Sequence, residues 1–464
     1  MHAADAMRFD VAIIGCGASG ALLATQLFRQ AERAISICCI DPGARLGAGL
    51  AYGRCGQEHR LNVPAARISA IAGEDNDFVE WLERRGLLEG DPAHFYAPRA
   101  RFADYLTDCI GRALRNAPHP HVVDHYPVRA VEAQPVAAGW RIRLASGETV
   151  EAGQAVLALG NLAAPTPPAG LETLADDTRY LHDPWRVVDQ RIKRDRAVAV
   201  IGSGLTGVDV VQTLINGGHR GAIEVVSRSG QWPSTHVLQR NPQRCDWPQG
   251  SLHRLLAEVR SRIKDVEAAG GNWRDVVDGL RPDTQRLWQA LSEREQRRFR
   301  RRLAGPWGRA RHRMPPEIGR MIRNWQREGR VRVHVAPALV AEAGHGDIAL
   351  HLNGRDAAPL KVRRVINATG PLTDPRRSDD PLLRQLLAEG RIRPGTLGVG
   401  LDADAEGRLL DADGRIRDDF STLGPPRQGN LLESIAIPEI KVQALRLAER
   451  LLARMDVQNS AQRS

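Results

Sequence analysis

The sequence predicts an α/β protein made of two doubly wound domains with a helical insert. Two observations carry that reading. A strand, Gly-rich turn, helix and second strand run over residues 9–41, and the same plan returns over residues 196–229. The stretch 251–330 then changes character, becoming charged, Trp-containing and helical in its spacing. A chain of 464 residues is too long for one ordinary domain and has room for two or three.

The first repeat, FDVAIIGCGASGALLATQLF, places glycines at Gly15, Gly17 and Gly20 between an apolar strand and a helix. The first permits the tight turn, the second lets the backbone approach a pyrophosphate, and the third lets the helix pack close on the strand. Ala18 and Ser19 open the helix, whose free N–H groups and positive dipole end favour phosphate. The following strand, ISICCID, ends at Asp41, 21 residues after Gly20. A carboxylate there can accept hydrogen bonds from an adenosine ribose.

The second repeat, AVAVIGSGLTGVDVVQTL, holds Gly202, Gly204 and Gly207, with Leu205 and Thr206 opening its helix. Its next strand runs into Arg228, at the same 21-residue offset. An arginine pairs with a ribose 2′-phosphate where an acid would repel it, so NADPH is expected rather than NADH. The alternative is that Arg228 is a surface arginine and either nucleotide binds. Two Rossmann-like dinucleotide-binding units imply two dinucleotides, and FAD with a nicotinamide is the chemically sensible pair.

The expected organisation is an FAD-binding segment over 1–190, an NAD(P)H-binding domain over 195–370 with the insert at about 250–330, and a return segment over 371–464. The Pro-rich run Ala163 to Gly170 reads as the linker out of the first domain. Short strands are expected at 331–335 and 348–352, then a buried strand in VRRVINATGP. An amphipathic final helix is expected from Glu439 to Arg454, with Pro438 and Glu439 as its first two positions.

Composition narrows the function classes. No apolar run approaches membrane-spanning length. The start, MHAADAMRFD, lacks a secretory pattern, so a cytoplasmic location is the default expectation. The net charge of +10 comes almost wholly from arginine interleaved with acids, and no aromatic-basic module for nucleic acid accompanies it. The dense run Arg297, Arg298, Arg300, Arg301 and Arg302, continued by Arg309, Arg311 and Arg313, reads as a solvated helix face, with an anion or partner site as the alternative. His312 within it reads as a surface residue, with a pocket position as the alternative. The six cysteines form no C-x-x-C pair and no zinc spacing, and Cys38 and Cys39 should point to opposite faces of a strand.

These motifs resemble the flavoproteins with two dinucleotide-binding domains, a group that includes flavin monooxygenases and pyridine-nucleotide–disulfide reductases. The resemblance implies that the first unit holds FAD and the second NAD(P)H. VINATGP, with Thr369 and Gly370, looks like the group's A-T-G strand ending near the cofactors, and AVLALGN at 155–161 looks like its counterpart. A closer resemblance is to a bacterial family of FAD/NAD(P)-binding proteins. It rests on GAGLAYG and HRLNVPAARIS at 47–69, FYAPRARFADYL, RYLHDPWR, FRRRLAGPWGRARHRMPP and ESIAIPEIKVQA. Asn62, in LNVPA, is then either a polar neighbour of the isoalloxazine or a turn residue before Pro64. Pro438 would open a helix aimed at the flavin or merely tether the chain end. His182 and Trp185 partly match a His–aromatic motif of some NADPH-dependent monooxygenases. The redox cysteine pair of the disulfide reductases is missing.

The resulting expectation is an NADPH-dependent flavin monooxygenase that hydroxylates a small polar substrate, with a nitrogen centre among the candidates. The alternatives are an NAD(P)H:acceptor reductase serving a quinone or a protein, and a non-catalytic flavin-bound redox sensor.

Overall fold

The computed structural model describes residues 7–187, 195–238, 241–242, 244–353 and 358–463. The first sheet has eight strands. Across it run Arg408–Leu410, Ile416–Thr422, Thr149–Leu157, Arg8–Ile14, Ser36–Ile40 and Val122–Tyr126, parallel from the second onward. A hairpin, Ala130–Val136 with Gly139–Leu144, adds antiparallel to the first half of Thr149–Leu157. Its core lies on both faces because the strands are apolar throughout, as a covered parallel sheet requires. Cys38 and Cys39 show this directly: Cys38 packs in one core and Cys39 in the opposite one.

The second sheet is all parallel, in the order Val331–Val335, Ile223–Ser227, Val198–Ile201, Arg364–Asn367 and Tyr180–Leu181. A small antiparallel sheet, Leu339–Ala343, Ile348–Leu352 and Leu360–Val362, packs beside it. The strands expected at 331–335 and 348–352 fall there.

Three expectations need correction. The first segment was expected to run to residue 190, which itself lies outside the described residues, as do residues 1–6. The chain enters the second sheet earlier, because Tyr180–Leu181 pairs with Val365 and Ile366, and Leu171 and Leu174 pack in that domain's core. A two-residue strand has no periodicity to read. The last helix spans Ile437–Arg463, beginning two residues before Glu439 and running past Arg454. Ile437 is thus its first position and Pro438 its second, since the Ala436 carbonyl already accepts the Ile440 N–H at 3.0 Å. The stretch 251–330 is helical, but its last helix, Pro316–Arg327, is not an appendage: Ile318, Ile322 and Trp325 complete the core under the second parallel sheet.

The arginine run is likewise not one solvated face. Arg297, Arg298, Arg301 and Arg302 are exposed. Arg313, by contrast, is 1% exposed, bonded to Asp278 at 3.0 Å and to the Ala310 carbonyl at 2.7 Å. Its guanidinium lies over Trp273, and burial pushes its pKa down to about 10. His312 is half-buried rather than on the surface.

The two parallel-sheet domains are latched by a buried ion pair. Arg99 donates to both oxygens of Asp209, at 2.6 and 3.2 Å, and to the Arg60 carbonyl at 3.2 Å. Asp209 sits on the helix Leu205–Asn216 that follows the second glycine loop. Beside it, His59 is 1% exposed; its Nε2 lies 3.1 Å from the Asp209 carbonyl and 2.9 Å from Thr213 Oγ1. Its Nδ1 accepts the Gly56 N–H at 3.0 Å, so the proton resides on Nε2. Thr213 in turn donates to Glu58 at 2.9 Å. Among the described residues, no helix is long and apolar enough to cross a membrane.

Arg99→Leu should destabilise the protein by about 3–5 kcal/mol, because Asp209 would remain buried without its partner. The double variant Arg99→Leu/Asp209→Leu should recover part of that loss. Urea denaturation followed by Trp fluorescence checks this; a single variant as stable as the parent would exclude the latch as a stabilising contact.

Candidate functional site

Both glycine loops end at the carboxyl edge of their sheets, and both have the same construction. Gly15 has φ +91°, and a Cβ there would fall 2.5 Å from the Ala158 carbonyl oxygen. Gly202 has φ +118°, and a Cβ there would fall 2.3 Å from the Ala368 oxygen. Both backbones are in a region that disfavours side chains. Gly20 and Gly207 let each helix close on its loop, since a Cβ would meet the Gly15 oxygen at 2.3 Å or the Gly202 oxygen at 2.2 Å. Each loop therefore leans on the end of a neighbouring strand, LALG at 157–160 or NATG at 367–370.

Gly17 and Gly204 cap the two helices, Ala18–Gln30 and Leu205–Asn216, without a side-chain cap bond. The first N–H groups of each helix thus remain for a ligand. Gly204 is exposed, and nothing lies within 4 Å of where its Cβ would be. The protein itself does not require glycine there; a closely approaching phosphate would. Ala18, Leu205 and Thr206 are half-buried at the helix starts, and Ser19 is buried.

Asp41 lies directly after the strand Ser36–Ile40 and beside the first loop. One carboxylate oxygen accepts the Cys16 N–H and the other the Gly43 N–H, both at 2.7 Å. These bonds orient the carboxylate and leave lone pairs for ribose hydroxyls. Arg228 follows the strand Ile223–Ser227 in the same way and is exposed. There, Ser203 donates to the Gln231 carbonyl at 2.8 Å and its Oγ stands 2.8 Å from Ser227 Oγ, closing the rim of the second loop.

The other predicted residues spread around these loops. Thr369 bonds to Asn367 Oδ1 through its hydroxyl at 2.8 Å, and Gly370 follows with φ +100°, both exposed at the edge beside Gly202. Asn62 is half-buried, and its carbonyl takes the His236 Nε2 proton across the domain junction at 2.9 Å. Pro438 lies in the first turn of the last helix. That turn reaches the first loop: a Cβ on Gly424 would be 2.5 Å from Ser19 Oγ and 3.8 Å from Ile440 Cδ1. His182 follows the edge strand Tyr180–Leu181, its carbonyl accepting from Asn367 Nδ2 at 3.3 Å, and Trp185 lies in the turn Pro184–Val187 against the helix Leu205–Asn216. Both nitrogens of His182 are engaged, by Tyr180 and by the Ala164 carbonyl, and Trp185 packs edge-on against His59.

Sequence reasoning missed a polar group at the turn into the last helix. Glu433 accepts from Trp307 Nε1 at 2.9 Å, and Glu439 accepts from Arg281 at 2.9 Å and Arg311 at 3.3 Å. Its one trace in the sequence is a pair of acids inside the apolar ESIAIPEI. Among the described residues no group of acids, histidines and cysteines could hold a metal ion.

Residues 12–162 match a protein-family model described as FAD-NAD(P)-binding. No curated protein matches the chain. Solved structures do. An ornithine N-hydroxylase of Kutzneria sp. 744, described with reduced FAD, NADP+ and L-ornithine, is 18% identical with a TM-score of 0.63, over 97% of this chain and 100% of that one. An L-lysine 6-monooxygenase of Pseudomonas syringae is 16% identical with a TM-score of 0.62, over 97% and 99%. A bacillithiol disulfide reductase of Bacillus cereus is 15% identical with a TM-score of 0.51, over 97% and 100%. Residues 12–162 thus resemble FAD-NAD(P)-binding domains, and the whole chain has the fold of the flavoproteins with two dinucleotide-binding domains. Because both hydroxylases and a reductase share that fold, it does not by itself name the reaction.

Gly15→Ala should cost at least about 2 kcal/mol through its left-handed backbone and the carbonyl contact, and should abolish flavin retention. Gly204→Ala should leave urea stability unchanged yet weaken nicotinamide-nucleotide binding at least about tenfold by blocking close approach. Denaturation and nucleotide titration of both variants check this contrast. Equal stability losses would show both glycines to be purely structural.

Proposed function

We propose that this protein is an NADPH-dependent flavin monooxygenase acting on a small amine-bearing substrate. The observation that carries the reading is the pair of matched glycine loops on latched domains, one followed by Asp41 and the other by Arg228. The first loop, with Ala18, Ser19 and Asp41, would hold the pyrophosphate and adenosine ribose of FAD. The second, with Leu205, Thr206 and Arg228, would hold NADPH, the arginine pairing with the 2′-phosphate. Asn62, Thr369, Gly370 and the turn at Pro438 would border the reacting rings. Bound there, FAD supplies hydride acceptance from NADPH and activation of O2.

Two further points support hydroxylation over disulfide reduction. The sequence has no C-x-x-C or C-x(4)-C pair. The ornithine and lysine enzymes above have the higher TM-scores and are named for oxygenation of amino-acid substrates. The net reaction for an amine is R–NH2 + O2 + NADPH + H+ → R–NHOH + H2O + NADP+. An NAD(P)H:acceptor reductase is the second reading, favoured by the reductase that shares the fold.

Anaerobic stopped-flow mixing with NADPH should bleach the flavin, and aerobic turnover with amines should convert oxygen uptake into hydroxylamine. Rapid anaerobic turnover with quinones and no hydroxylamine from any amine would decide for the reductase. Arg228→Ala should raise the KM for NADPH roughly 10–100-fold by removing a charge-assisted pair, and leave that for NADH unchanged. Equal effects on both nucleotides would remove Arg228 from the 2′-phosphate site.

A further inference from the structure

The turn that leads into the last helix carries polar side chains into the interior and leaves several of their atoms without partners. Glu433 is 3% exposed and Ser434 is fully buried. The turn is pinned from the insert, with Gln285 donating to the Glu433 carbonyl and accepting the Leu432 N–H at 3.0 Å. Each nearby carboxylate has one oxygen held. Glu433 Oε1 takes the Trp307 bond, with Arg311 Nε 3.8 Å away, and Glu439 Oε1 takes both Arg281 and Arg311. Glu433 Oε2, Glu439 Oε2 and Ser434 Oγ are shielded from solvent and have no hydrogen-bond partner among the described residues. Arg311 Nε also lacks one. A buried acceptor left unfilled is costly, more so if charged. Two at the turn and one in the first turn of the helix that follows fit a ligand rich in N–H donors.

Charge and protonation agree with that ligand. The two arginines already face the Oε1 atoms, so the unfilled valences are mainly acceptors. His312 Nε2 stands 3.9 Å from Glu433 Oε2. The groups facing it are Glu433 from the turn, Arg311 from its own segment, Glu439 from the last helix and Arg281 from the insert. Burial pushes the imidazole below its ordinary value, Glu433 and Glu439 oppose this and the arginines reinforce it. A neutral imidazole accepts a proton. The helix that this turn leads into comes close to the first glycine loop, where Gly424 lies against both Ser19 and Ile440.

Resting on the monooxygenase reading, we propose that Glu433, Ser434 and Glu439 receive the substrate's amino group and that His312 takes the proton it must lose. An ammonium has no lone pair with which to bond oxygen. One N–H bond breaks and an imidazole N–H forms, R–NH3+ + His312 → R–NH2 + His312–H+. The nitrogen lone pair then bonds one oxygen atom of O2 while the O–O bond breaks and NADPH is oxidised by two electrons. The proton held on His312 is the one the net reaction consumes, giving R–NH3+ + O2 + NADPH → R–NHOH + H2O + NADP+.

The test is titration of the oxidised, FAD-loaded enzyme with n-butylamine and, separately, butyrate, read as a flavin difference spectrum. The amine should bind and butyrate should not. Glu433→Gln should weaken amine binding at least tenfold at unchanged flavin content, and Glu433→Asp should restore part of it. Ser434→Ala probes the same group of atoms if Glu433→Gln is isolated without flavin. His312→Gln should keep amine binding but move the acidic limb of amine-dependent oxygen uptake to higher pH, toward the free amine's own titration. Butyrate binding in place of the amine would assign the site to an anion at Arg281 and Arg311 and overturn the proposal. So would unchanged amine affinity in both Glu433→Gln and Ser434→Ala. Glu433-dependent amine binding without hydroxylamine would sink the monooxygenase reading while the amine site stands; hydroxylation that ignores Glu433 would do the reverse.

Discussion

The structure depends on two close approaches of backbone to backbone, Gly15 onto the Ala158 carbonyl and Gly202 onto the Ala368 carbonyl. Neither tolerates a Cβ. Each approach seats the start of a helix against the carboxyl edge of a parallel sheet, which is where a doubly wound fold binds its ligand. Gly20 and Gly207 then hold the helices to their loops at distances no other residue permits. Asp41 and Arg228 come to lie beside the loops from that placement, because the next strand must end there.

Two such sites become one functional unit only if the domains are held in a defined relation. The Arg99–Asp209 pair and the His59 bonds supply that relation from the helix that begins at the second glycine loop. The insert supplies a second tie, through Trp307, Arg281 and Arg311 to the turn before the last helix. The helix that follows the turn meets the first loop's helix at Gly424, which lies against Ser19 and Ile440. Apolar contacts hold the insert as well, with Leu397 and Leu432 packed against the cluster of Leu252, Trp288, Leu291 and Phe299.

Buried charge occurs at these ties and elsewhere in the chain, at Asp77, Glu224 and Arg427 among others. Asp209, Arg313 and Glu433 are each less than a tenth exposed. Asp209 and Arg313 have bidentate or multiple partners, as buried ions require. Glu433 is the departure, with one oxygen fully engaged and the other not. Polar groups that break the rule of satisfaction in this way are where function is sought first.

Local pattern alone determined the two glycine loops, the opposite faces of Cys38 and Cys39, the helical character of 251–330 and the positions of Asp41 and Arg228. In each case the cause lies within a few tens of residues: a turn that needs positive φ, a two-residue alternation, a strand of set length. The tertiary structure decided the rest. That the chain joins the second sheet at Tyr180 depends on pairing with Val365, far along the chain. Arg99 meets Asp209 across 110 positions, and Trp307 meets Glu433 across 126. Whether Arg313 and His312 face water or the interior turned on those contacts and not on the arginines beside them. An ionisable side chain reads as solvated from its neighbours in sequence; only a partner brought from elsewhere can offset its loss of water, and no local spacing encodes that partner.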